Sequence, residues 1–143
     1  QPGMFLNCTK HADMLTVATQ ATPIQLRPGS GAGNYERLVV LGASGSDSLL
    51  VYDFTPRHRF VFHQRPRRMH PDDYDSLSRW KVMDMGYGDG TFAIANLGPL
   101  ADDAGMCLLH FDVQGQTFDV RPMGDDDPTH LCRFRFRPLG SNT

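Results

Sequence analysis

Short runs in which apolar and polar residues alternate recur along the chain, whereas helical periodicity is nearly absent. In 117–121, Phe118 and Val120 alternate with Asp119 and Arg121, which is typical of a strand with one buried face. In 132–137, Cys and Phe alternate with Arg in the same way. Gly, Pro, Asp and Ser bound most of these runs. The pattern predicts eleven strands, at 4–7, 14–18, 24–27, 37–41, 49–54, 59–64, 80–85, 92–96, 107–113, 117–121 and 132–137.

One segment has the features of a helix. The run 71–80 begins with a proline and continues with acidic residues, which suit the first helical turn. We therefore expect an all-β domain with one short helix.

Two parts of the chain resemble each other at an offset of 58 residues, which carries Leu49 onto Cys107 and Phe60 onto Phe118. Each part then reaches an Arg-Pro dipeptide and an acidic loop. A fainter copy, also ending in Arg-Pro, lies near the start of the chain. We expect a single domain, 1–143, with three repeats at roughly 1–37, 38–91 and 92–139.

Three stretches resemble a repeat of the ricin-B-like β-trefoil lectins, which runs from an aromatic strand through an Asp-Gly turn and a Phe-x-Ile-x-Asn strand to a Cys-Leu strand. They are 80–82, 88–96 and 107–109. The same stretches are similar to the trefoil protease inhibitors of fungi. The resemblance implies a closed barrel of short antiparallel strands, a β-trefoil with an internal pseudo-threefold repeat. A β-trefoil has twelve strands, so a different closed barrel or a β-sandwich is an alternative.

The sugar-binding residues of those lectins have no counterparts at the matching positions. Their Gln-x-Trp motif is replaced by Ser78-Arg79-Trp80, and no carboxylate follows Cys107-Leu108. We therefore expect Trp80 to be a core aromatic residue, and any sugar site to differ from that of the family.

A basic segment at 57–70 contains five of the twelve arginines and three of the six histidines. Arginine forks suit carboxylate, sulfate or phosphate groups, although the acidic residues that follow could instead neutralise the segment. The candidate ligand-binding residues are Arg65, Arg67, Arg68, His70, Asp72, Asp73 and Tyr74.

Composition excludes several classes of protein. The chain has 143 residues and a formal net charge of −2, which fits one domain and argues against a globally basic nucleic-acid binder. No apolar run approaches the length of a membrane-spanning helix. Histidines and cysteines lack metal-ligand spacing, and no catalytic motif is complete. We expect no catalytic residues, no bound metal, no cofactor, no nucleic-acid partner and no membrane span.

The three cysteines, Cys8, Cys107 and Cys132, leave one thiol over in any disulfide framework, which favours a cytoplasmic location. The start at Gln1 and the sequon Asn7-Cys8-Thr9 instead fit a secreted protein. The cysteine count and the sequon therefore favour different compartments.

These observations lead to a non-catalytic recognition module with lectin-like carbohydrate binding. The alternative is a protease inhibitor, or another module that binds a protein such as a protease or receptor, through the long loops 65–78 and 97–106. The partner is thus a glycan or a protein, and the sequence leaves the oligomeric state open.

Overall fold

Short antiparallel strands make up most of the secondary structure. The computed structural model describes residues 5–8, 14–18, 22–29, 34–41, 47–55, 59–98, 106–124 and 129–138, and for 5–8 only the backbone. The elements are β1 (Phe5–Cys8), β2 (Leu15–Ala18), β3 (Ile24–Pro28), β4 (Glu36–Val40), β5 (Ser48–Leu49), β6 (Val51–Asp53), β7 (Phe60–Phe62), α1 (Pro71–Leu77), β8 (Trp80–Met83), β9 (Ala93–Asn96), β10 (Cys107–Asp112), β11 (Thr117–Pro122) and β12 (His130–Leu131).

The described strands form three sheets. The largest has eight strands, in the order β11-β10-β9-β8-β4-β3, with β12 added to β10 and β5 added to β4. The other two are the hairpins β1–β2 and β6–β7. The fold is therefore mostly β and antiparallel, as the sequence predicts, but the described strand pairs do not close into the expected barrel.

The strand expected at 49–54 is interrupted at Leu50, where the chain changes its pairing partner. β5 pairs with β4, whereas β6 pairs with β7. At the change, the Leu50 amide donates to the Leu38 carbonyl, and the Leu50 carbonyl accepts from Trp80 Nε1 at 2.8 Å. Both backbone groups of the buried Leu50 are thus satisfied, as burial requires.

The main hydrophobic core draws on residues from β2 to β11. Trp80 is fully buried in it, which confirms the expectation of a core aromatic residue. Phe118 and Val120 also lie in the core, whereas Asp119 and Arg121 are partly exposed, as the alternation of this strand predicts. The other buried members include Leu15, Leu38, Leu50, Tyr52, Val61, Ile94, Cys107, Leu109 and Phe111.

The helix is confirmed but is shorter than predicted. His70 is the N-cap, and its Nδ1 accepts from the Asp72 amide at 3.1 Å. At the other end, Asn96 Nδ2 donates to the carbonyl of Leu77. The chain then enters β8, because Trp80 must reach the core. The predicted end at residue 80 is therefore wrong by three residues.

The strand predicted at 132–137 is wrong. The described strand in this region is β12, and beyond it only Phe134 forms a bridge, with Phe92. Both edges of β9 are already paired, to β8 and β10, so the segment after β12 finds little further backbone to pair with. Phe136, expected on the buried face, is 43% exposed.

Candidate functional site

The hairpin formed by β10 and β11 has one apolar face and one polar face. Opposite residues of an antiparallel pair share a face. The Leu109–Val120 pair faces the core, and the neighbouring His110–Asp119 pair therefore faces away from it. The polar face carries His110, Asp112, Thr117, Asp119 and Arg121, together with the buried Leu108 opposite Arg121.

A polar cleft lies on this face, with a volume of about 270 Å³. β11 and β10 supply one wall, the start of β7 supplies another, and β12 contributes a histidine. The residues that line it, called the β10–β11 cleft below, are Arg59, Phe60, Asp112, Thr117, Asp119, Arg121 and His130.

Two hydrogen bonds and one ion pair hold Asp119 in the cleft. Its Oδ1 accepts from the Tyr52 hydroxyl at 3.0 Å and from the Val120 amide, and its Oδ2 lies 3.9 Å from Arg121 Nε. Burial, together with the charge of Asp119, raises the pKa of Tyr52, against an opposing effect of Arg59. Tyr52 therefore stays a neutral hydrogen-bond donor, and it ties the cleft to the core.

Asp112 is positioned by the turn that joins β10 to β11. Its Oδ1 accepts from the amides of Gln114 and Gly115, at 3.0 and 3.1 Å. The hydrogen bond from Gly115 is the main cause that lowers the pKa of Asp112, and His130 contributes as well. The carboxyl group is therefore ionised at neutral pH and fixed in direction.

His130 reaches the cleft through the pairing of β12 with β10, which places it opposite Asp112. Its side chain is only 5% exposed, and Nε2 lies 3.8 Å from Asp112 Oδ1. The ring stands edge-on to the buried His110, with centroids 5.9 Å apart. The cleft thus offers carboxylate acceptors, guanidinium donors, a hydroxyl and the half-buried Phe60, a combination that binds polar molecules.

The segment predicted from the sequence is built differently. Arg65 Nη1 donates to the carbonyl of Met69, and Arg68 forms an ion pair with the buried Asp53 at 2.6 Å. The Arg68 guanidinium also lies over the Phe62 ring, 5.4 Å from its centroid. These two arginines therefore have structural contacts within the chain.

His70 and Tyr74 are also occupied. His70 caps the helix, and the Tyr74 hydroxyl accepts from the Leu49 amide at 2.9 Å. Burial raises the pKa of Tyr74. Arg67, Asp72 and Asp73 are the exposed remainder of the predicted set. Arg68 and Asp73 line a second cavity of about 150 Å³, together with Asp53, Phe54, Thr55, Met69 and Leu77.

Only part of the β10–β11 cleft could be predicted from the sequence. The alternation in 117–121 predicts Asp119 and Arg121 on a polar strand face, and Arg59 belongs to the basic segment, but no sequence pattern indicates that the three residues lie in one site. The proximity of Asp112 and His130 comes from the pairing of β12 with β10, which no short-range pattern encodes. The only signal for Asp112 is that this charged residue ends one strand of the hairpin and the polar Thr117 begins the other. His130 has no such signal.

Among the described residues, no group of three or more histidines, cysteines or acids could hold a metal ion. No helix in the same residues has the length and apolarity to cross a bilayer. Gln1 and Thr9, on which the expectation of secretion depends, lie outside the described residues. Burial raises the pKa of Cys107, which fits a buried thiol.

Comparison with known proteins returns no matching family model, curated protein or solved structure. The function must therefore be argued from the chemistry of the chain itself.

Proposed function

We propose that the chain is a non-catalytic recognition module that binds a carbohydrate in the β10–β11 cleft. The observation that carries the proposal is the convergence of Asp112, Asp119, Arg59 and Thr117 on one cleft beside the Phe60 ring. Sugars present many hydroxyl groups, which donate to carboxylates and accept from guanidinium groups. A cleft with fixed acceptors and donors matches that pattern.

Preorganisation of the two carboxylates supports the proposal. The Tyr52 hydroxyl holds Asp119, and the turn amides hold Asp112. Groups fixed before binding lose less conformational entropy when the ligand arrives. Oδ2 of Asp112 accepts from neither turn amide, whereas Oδ2 of Asp119 lies 3.9 Å from Arg121 Nε.

The lowered pKa of Asp112 argues against one catalytic role for this residue, that of the general acid of a glycosidase. Hydrolysis of a glycosidic bond needs a carboxylic acid whose pKa is raised, so that it can donate a proton. The pKa of Asp112 is instead lowered by Gly115 and its neighbours. Asp112 is thus suited to accept hydrogen bonds.

A repeated hairpin register supports a β-trefoil as the fold that carries this cleft. The Val51–Phe62 and Leu109–Val120 pairs are related by the same 58-residue offset as Leu49 and Cys107. The Leu6–Val17 pair of β1–β2 precedes Val51–Phe62 by 45 positions in both strands. On this proposal the repeats begin near β1, β5 and β10, and not at residues 38 and 92.

The alternative function, inhibition of a protease or binding of another protein, keeps less support from the described loops. The segment 65–78 contains α1 and packs on the protein through Met69 and Leu77, so it is not an extended inhibitory loop. Most of the other loop, 99–105, lies outside the described residues. This alternative stays a prediction.

The test is a glycan array followed by calorimetric titration of the glycan that gives the strongest signal. We expect Asp119→Asn to weaken binding of that glycan by at least about tenfold, because a hydrogen bond to a charged group contributes about 1.5–3 kcal/mol. Asp72→Asn is the matched control, because the Asp72 side chain is 92% exposed and lies outside the cleft.

Circular dichroism of both variants would show that each is folded. Absence of any glycan signal from the folded wild type would contradict the proposal. If Asp119→Asn weakened glycan binding no more than Asp72→Asn does, the glycan would bind outside the cleft.

A further inference from the structure

The donors and acceptors of the β10–β11 cleft are not used equally within the protein. Oδ1 of each carboxylate is already hydrogen-bonded, Asp112 to the turn amides and Asp119 to the Tyr52 hydroxyl. Arg121 Nε lies within 4 Å of Asp119. Hydrogen bonds and an ion pair within the protein therefore already balance much of the negative charge in the cleft.

Arg59 differs from the other charged residues of the cleft. It is exposed at the cleft wall, and no carboxylate of the described chain lies within 4.0 Å of its guanidinium group. By contrast, Arg27, Arg37 and Arg68 each have an aspartate partner within that distance. The planar guanidinium fork of Arg59, with its five N–H donors, is thus open to a ligand.

We propose that the carbohydrate bound in the cleft carries an anionic group, a carboxylate or a sulfate, and that Arg59 binds it. This inference rests on the proposed function. A guanidinium group pairs with such anions through two parallel hydrogen bonds, and it is less strongly hydrated than an ammonium group. A neutral sugar would use only single hydrogen bonds to the same fork.

The arrangement also gives the ligand a direction. Along β11 the side chains run from Thr117 through Asp119 to Arg121. An anionic group near Asp112 would meet a like charge, which is unfavourable, whereas near Arg59 it meets the opposite charge. The hydroxyl groups of the ring are then left for Asp112 and Asp119. Arg59 is accordingly a specificity residue.

The experiment uses an array of matched glycans, in which each neutral oligosaccharide is present with its uronic-acid form and its sulfated form. The pair with the strongest signal is then titrated in about 150 mM salt, so that long-range attraction between exposed charges is screened. We expect the wild type to bind the acidic member at least about tenfold more tightly than the neutral one. The two acidic forms show which anion is preferred.

Arg59→Gln should remove this preference: it should weaken binding of the acidic member at least about tenfold more than binding of the neutral member, because the neutral member loses only single hydrogen bonds. Arg67→Gln is the matched control, because Arg67 is an exposed arginine of the same basic segment but does not line the cleft. It should keep the preference.

The outcomes separate the two proposals. Binding of neutral and acidic members with equal affinity would overturn the role of Arg59 and leave the proposed function intact. An equal effect of Arg67→Gln would also overturn it, because bulk positive charge would then explain the preference. Absence of binding to every glycan by the folded protein would overturn the proposed function itself.

Discussion

At the scale of single residues, Asn96 joins two elements that strand pairing does not connect. It is 1% exposed; its Nδ2 donates to the Leu77 carbonyl, and its Oδ1 accepts from the Gly98 amide, both at 3.0 Å. We expect Asn96→Ala to lower the free energy of unfolding by about 2–4 kcal/mol, because it leaves two buried backbone groups without a partner. Urea unfolding followed by circular dichroism measures this change.

The matched control is Asn34→Ala, at an exposed asparagine. Its effect should stay within about 0.5 kcal/mol, as is usual for surface substitutions. If the two variants were equally stable, the Asn96 side chain would not hold the end of α1.

Single residues also show which features of the fold a sequence pattern can predict. Alternation correctly placed Val120 in the core and Asp119 on the polar face, because it needs only the period of a strand. The contacts of Asn96 and of His130 could not be predicted. Asn96 meets a carbonyl 19 positions away, and His130 meets Asp112 only because β12 pairs with β10.

At the scale of elements, the sequence predicted best the two strands of the β10–β11 hairpin, which are neighbours along the chain. The predictions at 107–113 and 117–121 differ from β10 and β11 by one residue at a single end. The sequence did not predict the interruption at Leu50 or the shift of the strand from 132–137 to β12. Both depend on which distant strand edge is available for pairing, and a local sequence pattern does not contain that information.

The hydrogen bond from Trp80 to Leu50, where the chain changes its pairing partner between β5 and β6, leads to a testable prediction. Trp80 Nε1 donates to the Leu50 carbonyl inside the core. Trp80→Phe removes this donor and leaves a small void, so we expect the free energy of unfolding to fall by about 2–4 kcal/mol. Because Trp80 is the only tryptophan, far-UV circular dichroism, rather than fluorescence, has to follow the unfolding.

Hydrogen exchange locates the effect. In Trp80→Phe, the Leu50 amide, which bonds to the Leu38 carbonyl, should lose more protection than amides in the β10–β11 hairpin. A uniform loss of protection across both regions would contradict a specific role for Trp80 at the strand break.

At the scale of the whole molecule, the net charge of −2 conceals a set of acids that the fold keeps ionised. Side-chain hydrogen bonds from Arg79 and Arg37 lower the pKa of Asp75, and Thr91 does the same for Asp89. Burial alone would raise the pKa of Asp53, but Thr55 and Arg68 outweigh it. Asp112 belongs to the same group. The pKa values of Tyr52, Tyr74 and Cys107 are instead raised, and burial is the largest cause for each of them.

These shifts predict a plateau of stability between about pH 5 and pH 8. An acid with a lowered pKa stabilises the fold above its unfolded pKa, near 3.9 for aspartate, and this stabilisation is lost as the pH falls through the folded value. A thiol or phenol with a raised pKa stabilises the fold below its unfolded value, about 8.5 for cysteine, and loses this effect as the pH rises. The urea concentration at the unfolding midpoint, measured from pH 2.5 to 10.5, should therefore be lower below and above this pH range than within it.

Asp75→Asn should lower the midpoint within the plateau and reduce its dependence on pH on the acid side, because it breaks the contacts to Arg37 and Arg79. Asp72→Asn, at an exposed position, should follow the wild-type curve. A midpoint that stays constant down to pH 2.5, or parallel acid limbs for Asp75→Asn and the wild type, would show that these contacts do not stabilise the folded protein.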